Sequence, residues 1–432
     1  MVLFRHTTIL LMSIMFIVSC KPAAAIENPI PPGTIITRHD WEQYKQYMPD
    51  GMQLLFSGTY YWKMPADFKM EVGPTRNYPL PQIYRDNTEK YAGQVQIIDL
   101  PGGGRALKGY IAGQPFPNPA DPLKGYKILA DYWYRFIPYL FCGNEDHLYL
   151  VNSGGQVAGF RVEQVFRRLN HISDIGQPIT DPRAEGIDYS EYVMFAEPEQ
   201  YKYTQILTLF YDNPEHSEDD FVYIPQLRRV IRQSANQRCA PLVNSDVTPD
   251  DLTGFNGGIV RFQADYLRDQ QVLALVNADP KIYGDTANYY PIFFPKPGVG
   301  KWEVRDSYVI DVRRIPSQRA GYCYGKQIIY VDQYSDNISW KELYSPEMKL
   351  VKIQSSQKIA GPIPQEGMQF YSGNAFETIW DIAKDHLTFF STAGPDSKGG
   401  LLANQACRNV DGVNYDDVKR YSSIGGLAQV MR

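Results

Sequence analysis

The chain has 432 residues, a formal net charge of −5, and 44% hydrophobic and 13% aromatic residues. The mild acidic excess argues against a nucleic-acid partner, whose phosphates call for a basic face. Beyond the N-terminal segment no apolar run is long enough for a transmembrane helix.

Arg5 precedes an apolar run from Thr8 to Val18, which ends in Ile17-Val18-Ser19-Cys20. A charged start, a short apolar core and small residues at its end read as a secretory signal. The run is too short to cross ~30 Å of hydrocarbon comfortably. Ser19-Cys20 resembles a bacterial lipobox, which makes Cys20 the lipidated first residue of the mature chain and anchors it in the outer membrane. Ala23-Ala24-Ala25 before Ile26 fits ordinary cleavage instead, which discards Cys20. The signal peptide is therefore read as 1–19, or as 1–25 in the alternative. Removing Arg5 with the shorter signal leaves −6. Either way the sequence predicts an exported protein of the periplasm or outer membrane.

Residues 26–37 are Pro-rich and read as an extended leader, ahead of one domain over 38–432. Asp40–Tyr47 reads as a short helix with Trp41, Tyr44 and Met48 on one face. Residues 52–62 are strand-like. A helix is expected near 83–92, then strands at 93–100 and 106–111 around the Gly102-Gly103-Gly104 turn. Four prolines from Pro115 to Pro122 exclude regular structure, and a helix is expected over 123–136. From residue 147 the period becomes two. Strands are expected at His147–Val151, Gln156–Phe166, Tyr192–Phe195 and Tyr203–Phe210. Asp220–Ile224 and Gln226–Ile231 form a hairpin at Pro225. Residues 259–276 mix strand segments, and Tyr289–Pro295 is an aromatic loop or bent edge. Trp302–Arg314, Gln327–Val331, Trp340–Tyr344 and Leu350–Ile353 continue a meander. Asn374 can cap a helix with Phe376, Ile379, Ile382 and Ala383 as its stripe. The tail from Asn404 is irregular.

The fold class expected is α+β: a large curled antiparallel sheet with helices against its concave side. The 32 Tyr and 20 Phe suit an extensive sheet surface or a groove lining.

Chemical motifs are scarce. There is no HExxH, no GxSxG and no His pair at metal-ligand spacing. Pro101–Gly104 lacks the Lys-Ser/Thr end of a phosphate loop. His386 reads as a cation at a helix C-terminus, and the acidic run Glu215–Asp220 as a solvated hairpin turn. No catalytic residue, metal or cofactor is assigned. Arg228, Arg229 and Arg232 follow Pro225, with Arg228 and Arg232 on one strand face. They are edge charges or contacts to a lipid headgroup or an acidic partner. Cys142, Cys239, Cys323 and Cys407 are even in number, lack CxxC spacing and suit two disulfides in an exported chain, with three pairings open.

Several ordered segments resemble one family. They are Gly33–Thr37, Gln43-Tyr44-Lys45, Met48-Pro49, Gly109-Tyr110-Ile111-Ala112-Gly113-Gln114-Pro115-Phe116-Pro117 and Phe221–Val230 with its Leu227-Arg228-Arg229-Val230. Ser245-Asp246, Asp250-Asp251-Leu252, Trp302–Arg305 and Tyr324–Asp332 follow in order. The family is domain-of-unknown-function family 1329, whose members are labelled outer-membrane lipoprotein-sorting proteins and are related to the LolA and LolB carriers. The resemblance covers nearly the whole mature chain. It implies an incomplete β-barrel holding an acyl chain on a helix-covered concave side. This chain is roughly twice the carriers' length, and the resemblance assigns no catalytic residue.

With those segments placed, Cys239 and Cys323 both lie at strand ends, which points to Cys239–Cys323 and Cys142–Cys407. Within Tyr324–Asp332, Ile329 and Val331 share an uncharged face and are expected to meet the helices or a ligand. The function expected is a carrier or binding protein for a lipid, a lipoprotein acyl chain or another hydrophobic ligand, with envelope transport proteins as partners. The alternatives are an exported hydrolase without a local motif and a structural envelope protein that binds other proteins.

Overall fold

The computed structural model describes residues 28–175, 179–233, 238–363, 367–370, 375–395, 400 and 402–429. Cys20, the signal segment and the expected cap Asn374 lie outside them.

Two antiparallel meanders form the fold. The first is β1 (Leu140–Val151), β2 (Val157–Arg168), β3 (Ile187–Glu197), β4 (Gln205–Tyr211), β5 (Asp219–Ile224) and β6 (Arg229–Gln233). The second is β7 (Phe262–Ala274), β8 (Glu303–Arg314), β9 (Lys326–Asp332), β10 (Ile338–Tyr344), β11 (Leu350–Gln357), β12 (Phe376–Asp381) and β13 (His386–Ser391). They fuse where β13 lies beside β1, with Leu387 opposite Val151. The short β14 (Leu402–Ala403) adds to the far end of β1. Among the described residues the result is one 14-stranded sheet, unclosed, with β6 and β7 as its edges. Among the same residues five α-helices accompany it: α1 (Asp50–Ser57), α2 (Gln82–Tyr91), α3 (Lys124–Trp133), α4 (Val418–Tyr421) and α5 (Ile424–Leu427).

Three local expectations are corrected. Residues 376–381 form β12, not a helix. Phe376 and Ile379 match a helical spacing, yet here Phe376, Thr378 and Trp380 face one side and Glu377 and Ile379 the other. Every residue of this strand is buried, so no solvent-facing alternation marks it. Residues 52–62 were expected as strand, but α1 covers most of them and ends at Gly58 with φ 72°. His386 opens β13 and caps no helix.

Both faces of the sheet are covered. The described part of the connection from β6 to β7, residues 238–261, crosses one face, here called the inner face. α3 packs on that face beside it, against β7, β8 and β9. Gly125 makes the contact possible, because a Cβ there would lie 2.5 Å from the carbonyl oxygen of Ala264. On the outer face, α1 and the aromatic loop before β8 bury one half of the sheet. Phe294, Trp302, Trp340 and Trp380 form a cluster of four stacked pairs, with neighbouring centroids 5.1 to 6.4 Å apart. Trp340 donates its indole N–H to Leu273 O and Trp380 to Ile292 O, so this apolar layer leaves neither donor unpaired. The C-terminal segment with α4 and α5 covers the outer face of β1–β4, stapled by a Cys142–Cys407 disulfide.

α1 meets the sheet end-on. The backbone N–H of Gly51 donates to Glu342 Oε1 at 2.7 Å, and a Cβ on Gly51 would come 2.9 Å from Ile353. Burial pushes the Glu342 carboxyl up to about 7. An unfolded Glu ionises near 4.5, so this group's contribution is complete below that pH and is lost as pH rises to about 7. We expect a fall of up to about 3 kcal/mol across that window from this one group. Urea unfolding at pH 4.5 and 7.5 checks it: Glu342→Gln, which can still accept from Gly51, should have a smaller pH slope than wild type.

Candidate functional site: an inner-face groove under a polar strap

A chain segment crossing a buried face must have its polar groups satisfied. The 238–261 strap meets that demand with side chains of the sheet. The disulfide Cys239–Cys323 fixes its start. Arg238 pairs with Asp220 at 2.9 Å and with Asp250. Asp250 accepts from the Tyr322 hydroxyl at 2.7 Å. Asp251 pairs with Lys341 at 2.9 Å, accepts from the Tyr324 hydroxyl at 2.7 Å, and closes a capping box with Thr248. Gln354 and Lys352 donate to the strap carbonyls of Asp251 and Asp246, and Asn256 donates to Glu191 on β3 at 2.6 Å. Asp250, Asp251 and Lys341 are fully buried. Burial pushes the Asp251 carboxyl up, but Lys341 and Lys352 outweigh it and hold it at about 2.

Between this strap and the other half of the inner face lies a groove. Its wall is Phe141, Leu148, Val162, Phe195, Ile206 and Phe390, and its roof is Leu242, Val247 and Leu252 of the strap. The wall residues and Ile379 come from six adjacent strands, β4-β3-β2-β1-β13-β12. At ~4.8 Å per strand spacing the groove runs roughly 24 Å. Its free volume is about 100 Å³, room for several waters. One end is polar: Glu377 there accepts from Ser356 Oγ at 2.6 Å and Gln354 Nε2 at 3.1 Å. Burial raises its carboxyl, opposed by the Ser356 hydrogen bond and the nearby Lys358. Among the described residues no group of three or more His, Cys, Asp and Glu could hold a metal ion, and no helix is long and apolar enough to cross a membrane.

The sequence-selected residues fall elsewhere. Ile329 and Val331 lie on the inner face but pack with α3, in one core with Tyr126 and Leu129, and line no part of the groove. Arg228 sits in the β5–β6 turn with φ 49°, so strand parity does not relate it to Arg232. Arg228 and Arg229 are exposed, and Arg232 pairs with Asp219. The acidic run is not a solvated turn throughout, because Asp219 and Asp220 begin β5 and are buried. The groove residues and the Asp251–Lys341 pair were not singled out from sequence. The Asp250-Asp251 doublet was a usable signal, since two adjacent acids ahead of an apolar Leu252 need internal partners if buried.

The sequence profile described as "Protein of unknown function (DUF1329)" matches residues 35–411. The chain belongs to that family. No curated protein matches the DUF1329 chain. Among solved structures, it is similar to a domain from Vibrio parahaemolyticus described as an outer membrane lipoprotein-sorting protein, at 15% identity and TM-score 0.46, covering 65% of this chain and 93% of that one. A DUF1329 protein from Desulfovibrio piger matches at 16% identity and TM-score 0.44, over 63% and 91% of the two chains. A LolA superfamily protein from Nitrosomonas europaea matches at 15% and TM-score 0.34, over 60% and 85%.

Lys341→Met leaves Asp251 as a buried charge without its ammonium and should destabilise the fold by about 3–5 kcal/mol. Adding Asp251→Asn should recover part of that loss in chemical unfolding. Because Asp251 is held below its unfolded value, its contribution is present above about pH 4 and fades toward pH 2 in wild type. The double variant should lack that acid-side loss.

Proposed function

We propose that this protein is an exported carrier for a lipid or lipoprotein acyl chain, held in the inner-face groove. The observation that carries this reading is the groove itself: an apolar channel across six strands, bounded by a segment that is pinned at its two ends. Each buried CH₂ contributes ~0.8 kcal/mol, so a long chain is retained without a catalytic group. The present free volume is too small for such a chain, so loading displaces Leu242, Val247 and Leu252. These roof residues lie between the pin at Arg238–Cys239 and the pin at Asp250–Asp251. Release then follows when the roof closes or a partner competes for the chain. Lipidation of Cys20 would hold the carrier at the outer membrane, facing the periplasm.

A fluorescent fatty acid should bind wild type saturably. Val162→Trp fills the middle of the groove and should weaken binding at least about tenfold, with the circular dichroism spectrum unchanged. No binding by wild type refutes the carrier reading. Intact-mass analysis of the mature protein should give a lipidated chain beginning at Cys20; an unmodified chain beginning at Ile26 refutes anchoring and leaves the groove reading intact.

A further inference from the structure

The inner face of β4 serves two recesses. Ile206 and Thr208 line the groove, and Phe210, next on the same face, lines a separate cleft of about 250 Å³. This cleft is built from the C-terminal end of α3, the Gly109–Pro117 segment, the β4–β5 connection and the end of the strap. Its walls are aromatic. The Tyr110 and Tyr134 rings lie 4.0 Å apart by centroid, Tyr211 and His216 3.9 Å, and Trp133 and Phe210 5.2 Å.

The charges of the cleft are already matched. Asp188 pairs with Arg168 at 2.8 Å. Asp212 pairs with His171 at 3.0 Å, and the other ring nitrogen of His171 meets Ile111 O at 2.9 Å. Glu218 lies 3.4 Å from Arg238 and 3.8 Å from Arg261. A charged ligand would therefore have to break an existing pair. What remains for a ligand is neutral in character. Asp188 is buried and its Oδ1 has no hydrogen-bond partner, and the Tyr134 hydroxyl makes no hydrogen bond among the described residues. A purely apolar occupant would seal these polar groups off unpaired at a cost of about 1–3 kcal/mol each. A ring with hydroxyls on its rim and C–H groups on its face satisfies both the oxygen atoms and the aromatic walls.

We propose that this cleft binds a neutral, hydroxyl-bearing saccharide ring, stacked on its tyrosines and hydrogen-bonded to Asp188 and Tyr134. The inference stands independently of the groove's occupant. The saccharide can be free or the head of a glycolipid, because the two recesses adjoin through shared residues. A third, small recess is lined by Thr253, which also lines the groove, and by Trp133, which also lines the cleft.

The test is titration calorimetry and saturation-transfer NMR on the mature protein. The probes are methyl glucoside, N-acetylglucosamine, maltose, and octyl glucoside below its micelle concentration, with adenosine and benzyl alcohol as non-saccharide rings. At least one saccharide should bind, and Tyr134→Phe should weaken it about fivefold, the loss of one hydrogen bond. His216→Ala, on the exposed wall, should weaken it too, while fatty-acid binding in the groove stays unchanged. Octyl glucoside binding at least about tenfold tighter than methyl glucoside places a chain in the groove and identifies a glycolipid head; equal affinities identify a free saccharide. The proposal is overturned if no saccharide binds, if only the non-saccharide rings bind, or if both folded variants bind saccharide as wild type does.

Discussion

A segment joining the two edges of an open sheet has to cross a buried face, and the pairing of Asp251 with Lys341 is what lets it do so here. Peptide groups and carboxylates carried across an apolar surface are costly unless partners wait for them. The second meander supplies these partners in rows: Lys341 on β10, then Lys352 and Gln354 on β11. With the strap anchored on that side, the inner face divides. One half is covered by α3, while the half made by β1–β4, β12 and β13 keeps room under the roof.

The division also orders the chemistry. The charged groups that hold the strap are paired: Arg238 with Asp250, and Asp251 with Lys341. A group with spare capacity, Asp188 Oδ1, lies where α3 ends and the strap turns back to β7. α3 itself is tied to the strap, since the Tyr132 hydroxyl reaches both Thr253 O and Phe255 O at 2.8 and 2.9 Å. A movement of the strap is therefore felt at Trp133 and Tyr134 next to it.

How much of this the sequence disclosed depended on solvent. The β5–β6 hairpin at Pro225 and the β8 and β9 strands were legible, because turn residues and β-branched runs are local signals. Two antiparallel meanders follow from many short consecutive strands. β12 was misread because both its faces are buried, which removes the alternation that marks a strand with one wet face. The inner face was harder still. Lys352 sits between Val351 and Ile353 as a solvent-facing residue would, yet it points at the strap, as Lys341 and Gln354 do. No local pattern separates a polar residue facing water from one facing a buried chain segment. Ile329 and Val331 share a strand face that lacks a charge, but facing α3 and facing a groove look identical from the strand alone.

The union of the two meanders has a kinetic side. β1 pairs with β2 through a short turn, whereas its other neighbour, β13, arrives only with Leu387 opposite Val151. Contacts so distant in sequence form slowly, because loop closure precedes any gain from pairing. Until then β1 presents an open edge beside Leu148 and Phe141, both destined for the groove. Edges of that kind template aggregation. The strand at the centre of the finished sheet is thus the one most exposed while the sheet is being made.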